Sequence, residues 1–383
     1  MAYRDVLFEP LVSVFLVAGL DEATLDALPA AARTVVRART AARRRWPGPV
    51  LRPRFSPAAR AESAVPRNVR DLPAGLSDPD LIAAAHAAGL HGLPFALTRS
   101  GDRCVVATAH AVYDGTASLE LVHDLLDAAA GLPLAPEPVA ARAPVRAALR
   151  RVRLADVRRF VDARRHRDPG AAPAEGATIV PRTSTAAFAL DRADLVAIRR
   201  YREPDRAGRP TLLSRIAGLI VTALREVQVG DGDVPVWMTT DLRHLVDGRV
   251  DGNFIGREQI GTLHGDQWAP GALAARLVAM KGPGQALSLV WSTTGWLLRS
   301  ALGRRPVAGE EVVLTLAATQ RAFPVPVRAA LATSIGGSPT FGFAWQTKDA
   351  VHVSVHSTSG RFDLDRFEDA FRRIVRERAG QDS

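Results

Sequence analysis

Apolar positions alternate or cluster along the chain in a way that fixes most of its expected elements. The run Leu11 to Leu20 is continuous and short, the pattern of a buried strand. Gly19, Leu20 and Asp21 then open a helical stretch with Leu25, Leu28, Val35 and Val36 as its apolar positions. That stretch is expected to be interrupted at Pro29 and to end in Arg43, Arg44 and Arg45. Residues 46–66 are rich in proline and arginine and read as loop or edge strand, since proline cannot donate to a central ladder. Leu93 to Leu97 and Arg103 to Ala109 form a strand pair around the turn Ser100-Gly101-Asp102, and the second strand delivers His110. A helix follows from Ser118 to Gly131, with Leu119, Val122 and Leu126 on one face and Gly131 as its C-cap.

Val145 to Arg167 is an amphipathic helix or pair of helices, with Val145, Leu149, Val152, Phe160 and Val161 apolar and nine arginines elsewhere. Asp168 to Pro181 holds few bulky apolar residues and separates two halves, an N-terminal subdomain over 1–170 and a C-terminal one over 183–383, with 171–182 as linker. The second half alternates again. Strands are expected at Ala186 to Leu190, Val234 to Asp241, Thr340 to Gln346 and Val351 to Ser357. Helices are expected at Asp194 to Tyr201, Leu212 to Val227, Leu273 to Met280, Leu287 to Leu302 and Leu364 to Arg378. Mixed strands and helices in two halves predict an α/β (α+β) pair of two-layer sandwiches.

Composition narrows the picture. At 383 residues and 47% hydrophobic, the chain can bury a substantial core, which excludes whole-chain disorder. One cysteine, Cys104, allows no internal disulfide, and no Cys/His cluster has zinc-site spacing, so a reducing, cytoplasmic setting with no metal is expected. The Leu11 to Leu20 run is too short to span a bilayer and lacks the cationic start of a signal peptide. The formal charge of +10 favours anionic partners, yet Lys281 and Lys348 are the only lysines, which points to a GC-rich coding bias and solvated arginine faces. Without an aromatic-interleaved basic motif or a recognition helix, nucleic-acid binding is not expected.

The chemistry concentrates at His110-Ala111-Val112-Tyr113-Asp114-Gly115, a strand-to-helix junction from which a side chain can project into a cleft. Histidine suits a general base because its unperturbed pKa, near ~6.5, leaves a neutral imidazole at working pH. Asp114 could orient that site through an arginine, and Gly115 would permit the tight turn. A His-x-x-x-Asp-Gly match arises by chance in roughly a few per cent of chains this long, and its bland reading is a satisfied histidine in a turn.

Further motifs follow it in order. Asp241-Leu242-Arg243 precedes Gly252-Asn253-Phe254, and Thr333-Ser334-Ile335-Gly336 precedes Thr340-Phe341-Gly342-Phe343-Ala344. With these, nearly the whole chain resembles the chloramphenicol acetyltransferase-like superfamily, which includes plant-type and polyketide-associated acyltransferases and stand-alone condensation domains. The resemblance implies two similar halves with a tunnel and active site at their interface. His110 would deprotonate an acceptor hydroxyl or amine as it attacks a thioester carbonyl. Asp114 would be a structural partner of Arg243, with Gly252 and Asn253 in support. Gly115 would bring an amide to the oxyanion, with Thr333 or Ser334 as a second donor, and Tyr113, Trp345 and Trp291 are tunnel or core candidates. Ala109, where condensation domains carry a first histidine, disfavours peptide condensation. Thr340 stands where relatives have an aspartate, so their structural ion pair cannot form here.

The implied activity is transfer of an acyl group from an acyl-CoA or phosphopantetheinyl thioester co-substrate, with no tightly bound cofactor, to a small-molecule alcohol or amine in specialised metabolism. An acyl or peptidyl carrier protein is a candidate partner, with the arginine-rich helix as one docking face, and the chain is expected to be a monomer. Alternatives are a stand-alone condensation enzyme joining carrier-bound intermediates, a catalytically silent condensation-like binding module, and a hydrolase. No Gly-x-Ser-x-Gly elbow supports a serine hydrolase. His352, Ser354 and His356 alternate along one strand and invite a metal reading, but two histidines without a carboxylate favour a polar sheet face.

Overall fold

The computed structural model describes residues 12–45, 54–55, 57–90, 93–110, 112–165, 183–200, 211–250, 254–265, 268, 270–291, 310–319, 321–325, 329–335, 340–348 and 350–380. These fall into two compact units, the first made of 1–142, 247–254 and 319–337 and the second of 143–246, 255–318 and 338–383.

In the first unit, β1 (Val12–Ala18) lies between β6 (Arg103–Ala109) and β11 (Ala329–Ile335), antiparallel to both. The sheet continues through β5 (Phe95–Ser100) to β4 (Val69–Asp71) in the order β11-β1-β6-β5-β4. Two-residue strands β2 (Arg44–Arg45) and β3 (Arg54–Phe55) pair separately. Helix α1 (Glu22–Ala38) is capped by Asp21, whose carboxylate accepts the Thr24 N–H at 2.8 Å. Contrary to expectation it runs unbroken through Pro29. Its buried stripe of Leu28, Ala31, Ala32, Val35 and Val36 stabilises it by more than the one backbone bond proline removes. A second correction concerns residues 46–66. Helix α2 (Ala58–Asn68) occupies the end of that stretch, burying Ala61 and Val65, while Glu62 accepts both bonds of the Arg37 guanidinium fork. Helix α3 (Asp78–Ala88), capped by Ser77, and α4 (Gly115–Ala129) complete the unit. Gly131 closes α4 in the left-handed conformation at φ +73°, while the Leu132 N–H reaches back to the Asp127 carbonyl at 2.8 Å.

Residues 321–323 are pinned onto α4. The Arg321 guanidinium bonds Asp124 and Asp127, Arg39 bonds the same Asp124 at 2.6 Å, and Phe323 stacks on His123 at 4.7 Å between ring centroids.

The second unit begins with α5 (Pro144–Leu149) and α6 (Leu154–Arg165), so the arginine-rich stretch is a helix pair and packs with the later half, not the earlier one. The division therefore differs from the one drawn on composition: the first unit closes near Arg142 and draws two later segments, while residues 171–182 lie outside the described residues. β7 (Ser184–Leu190), β8 (Pro235–Asp241), β9 (Ile255–Thr262), β10 (Val312–Ala318), β12 (Thr340–Gln346) and β13 (Val351–Ser357) form a mixed sheet in the order β7-β13-β12-β10-β8-β9. Helices α7 (Arg192–Arg200), α8 (Leu212–Glu226), α9 (Pro270–Met280) and α10 (Phe367–Gly380) pack with it. Of the helix expected at Leu287 to Leu302, residues 287–291 are helical and the remainder lies outside the described residues.

Alternation divides the faces of this second sheet. Val236, Met238, Leu314, Ala344, Val351, Val353, Val355 and Phe188 join Ile216, Ile220, Leu224, Phe367 and Phe371 in one core. The opposite side chains of β12 and β13, Phe343, Trp345, His352, Ser354 and His356, are buried too. His356 Nδ1 bonds the Thr185 hydroxyl at 2.9 Å, and the His352 ring lies 5.9 Å from Trp345. That arrangement is a polar and aromatic sheet face. Among the described residues, no cluster of three or more histidine, cysteine or acidic side chains is placed to hold a metal.

Candidate active site

His110 directly follows β6, and strand pairing brings its chain neighbour Ala109 opposite Val12 of β1. The chain turns at once: the Ala109 carbonyl accepts the N–H groups of both Val112 and Tyr113 at 2.9 Å. Thr108, the next residue back, shares a 2.9 Å hydroxyl–hydroxyl bond with Ser118 in the first turn of α4, tying strand to helix beneath the loop. His110 as a residue is 9% exposed, so it is shielded from bulk water. Val112 and Tyr113 are buried beside it in sequence.

Asp114 is fully buried and works twice. Its Oδ1 accepts the Ala117 N–H at 3.1 Å as the N-cap of α4, and its Oδ2 accepts the Phe254 N–H at 3.3 Å. Phe254 ends the Gly-Asn-Phe motif, so two motifs 140 residues apart meet in the first unit through one carboxylate. Gly252 and Asn253 themselves lie outside the described residues. Gly115 is the first helical residue of α4, and its φ is not positive. Its amide stands where a helix has no internal acceptor and where the macrodipole favours negative charge.

Thr333 and Ser334 lie on β11, in register with Val14 and Ser13 of β1, which in turn pair with Ala107 and Thr108 of β6. They sit at the same end of the sheet as His110, two strand spacings away, about 10 Å. In the second unit, Asp241 ends β8 and accepts the Arg243 N–H at 2.9 Å and its guanidinium at 3.2 Å, a local turn that starts a short 3₁₀ segment. Trp345 is fully buried, while Trp291 is 59% exposed. Thr340 is buried and its hydroxyl bonds Ser357 at 2.9 Å, a neutral contact. Cys104 is buried on β6, and desolvation pushes its thiol pKa up to about 12, which rules it out as a nucleophile at neutral pH.

Sequence reasoning missed the Asp114 to Phe254 bond, because no spacing rule predicts a carboxylate reaching a backbone amide 140 residues away. It also missed β11 as a member of the first sheet. Its composition, with small residues at Ala329, Ala330, Ala332 and Ser334, gives no strong alternating signal.

No protein-family model matches the sequence, and no curated protein matches it either. Solved structures do. A trichothecene 15-O-acetyltransferase from Fusarium sporotrichioides superposes with a TM-score of 0.62 at 12% identity, over 98% of this chain and 93% of that one. Polyketide synthase associated protein 5 from Mycobacterium tuberculosis gives 0.57 at 13% identity, over 100% and 98%. The epimerization domain from the third module of tyrocidine synthetase B gives 0.57 at 14% identity, over 99% and 93%. The chain has the chloramphenicol acetyltransferase-like fold. Two mixed sheets with their helices make up that fold here, and the strand-to-helix loop of the first unit carries His110 and Asp114. An acetyltransferase and an epimerization domain share the architecture, so the reaction has to be argued from the residues.

Proposed function

We propose that this chain is an acyltransferase that moves an acyl group from a coenzyme A or carrier-protein thioester to an alcohol or amine, with His110 as general base. The observation that carries the proposal is the fixed His110 loop: a shielded imidazole at a strand end, with Asp114 held by the helix it caps and by Phe254. The fold it shares with acyltransferases supports the same reading.

In this reaction the neutral imidazole takes the acceptor's proton as its oxygen or nitrogen attacks the thioester carbonyl. The tetrahedral oxyanion collapses, the carbon–sulfur bond breaks, and the thiolate leaves with the proton returned by the imidazolium. The Gly115 amide, at the positive end of α4, is the donor we assign to the oxyanion, with Thr333 or Ser334 as second donor. Asp114 is a positioning residue with no proton to move, and Arg243 is its proposed ionic partner, supported by the sequence resemblance alone. Specialised metabolism is the setting the resemblance suggests.

Replacing the histidine separates this reading from its rivals. His110→Ala is expected to lower thioester-dependent product formation by about 10² to 10⁴ while ligand affinity stays. Full activity in that variant would refute the base assignment. Undetectable turnover in the wild type with a panel of acyl-CoA and carrier-bound donors, alongside donor binding, would favour a silent binding module. Products are read by mass spectrometry, which also separates acyl transfer from epimerization and from hydrolysis.

A further inference from the structure

Over residues 151–162, helix α6 and its approach lie at the surface. Of residues 151–162, only Val152, Asp156 and Phe160 are partly covered, and none is fully buried. Asp156 and Phe160 face the body of the second unit: Asp156 lies against Gly284, and Phe160 meets Trp291 edge-on at 6.4 Å between ring centroids. The rest of the apolar stripe points away. Leu154 is 68% exposed, Val157 37% and Val161 38%, at i, i+3 and i+7 on one side of the helix, and Trp291, against Phe160, is 59% exposed.

A well-exposed leucine and indole and two part-exposed valines thus stand at the surface on and beside one helix. Charge surrounds that helix. Arg150, Arg151, Arg153, Arg158 and Arg159 are all exposed around it, against Asp156 and Asp162 as the acidic residues of 150–162. An apolar stripe flanked by arginines, with a tryptophan at its margin, is the pattern of an interfacial helix: the stripe enters the acyl boundary, the indole sits at headgroup depth and the arginines meet lipid phosphates. Apolar side chains beside a run of arginines match a lipid surface, which offers an acyl boundary and phosphates together and needs no fixed complementary relief.

We propose that α6 and Trp291 form a docking surface for an anionic membrane, on which the protein rests peripherally. No helix among the described residues is long and apolar enough to cross a bilayer, so the contact is with the surface. The inference does not depend on the acyltransferase reading, because the surface contains none of the residues assigned to that reaction.

The test is co-sedimentation of the full chain with vesicles of phosphatidylcholine alone or with about 30% phosphatidylglycerol. Binding is expected on the anionic vesicles only, falling steeply with salt. The triple change Arg150→Gln, Arg151→Gln, Arg153→Gln should weaken it about 100-fold, and Leu154→Glu with Val157→Glu at least about tenfold. Those sites are exposed, so thermal unfolding of the variants should match the wild type; where it does not, headgroup and salt dependence of the wild type carry the test. Equal pelleting with both vesicle types would overturn the proposal. So would absence of binding to anionic vesicles at low salt, including the case in which an acidic carrier protein binds the same arginines instead.

Discussion

His123 and His352 are shut away from water, and neither is assigned a part in the proposed reaction. Burial lowers the pKa of each to about 4, and for His123 the nearby Arg321 adds to the effect against the pull of Asp127 and Asp124. In the unfolded chain both rings take a proton near ~6.5. Between that value and about 4 the unfolded state therefore binds more protons, and stability falls as pH falls through this window. Each ring accounts for about 3 kcal/mol of that loss when the full shift is expressed. Thermal unfolding followed from pH 7 downward should show the acid limb, and His123→Gln and His352→Gln should each flatten it. An unchanged limb in both variants would show that these rings do not govern it.

Helix α4 draws on one carboxylate as well as on its buried face. Asp114→Ala removes both the cap to Ala117 and the acceptor for the buried Phe254 N–H, so a stability loss of about 1 to 3 kcal/mol is expected in chemical denaturation. Asp114→Asn keeps an oxygen at the cap and should lose less. Strong periodicity made the elements of the core legible: the strand within 11–20, the strand at Val351 to Ser357, the helix at Leu212 to Val227 and the loop bearing His110 stand close to where alternation and capping placed them. Elsewhere local rules lost to packing. Pro29 sits inside a continuous α1 because the buried stripe outweighs one missing hydrogen bond, and α2 forms across a proline-rich stretch because Ala61 and Val65 find cover and Glu62 meets Arg37. Short strands such as β4, with three residues, carry too little pattern to be read at all.

At the scale of the molecule, the first unit is not a contiguous piece of chain. Its sheet is completed by β11, which pairs along all of β1, and Arg321 is clamped to α4. A fragment ending at Arg142 would expose the whole edge of β1 and leave Asp124 and Asp127 without that arginine. Expressed alone, it should aggregate or remain unfolded by circular dichroism, while the full chain folds. A folded, monomeric fragment would contradict this account. The amino-acid sequence by itself determined the α/β class, most core strands and helices, and the His110 motif, because these rest on spacing between near neighbours. Only the tertiary structure decided that β11 belongs to the first sheet, that Asp114 holds Phe254, and that α6 keeps an apolar stripe in water, because each depends on which distant segment comes to lie alongside.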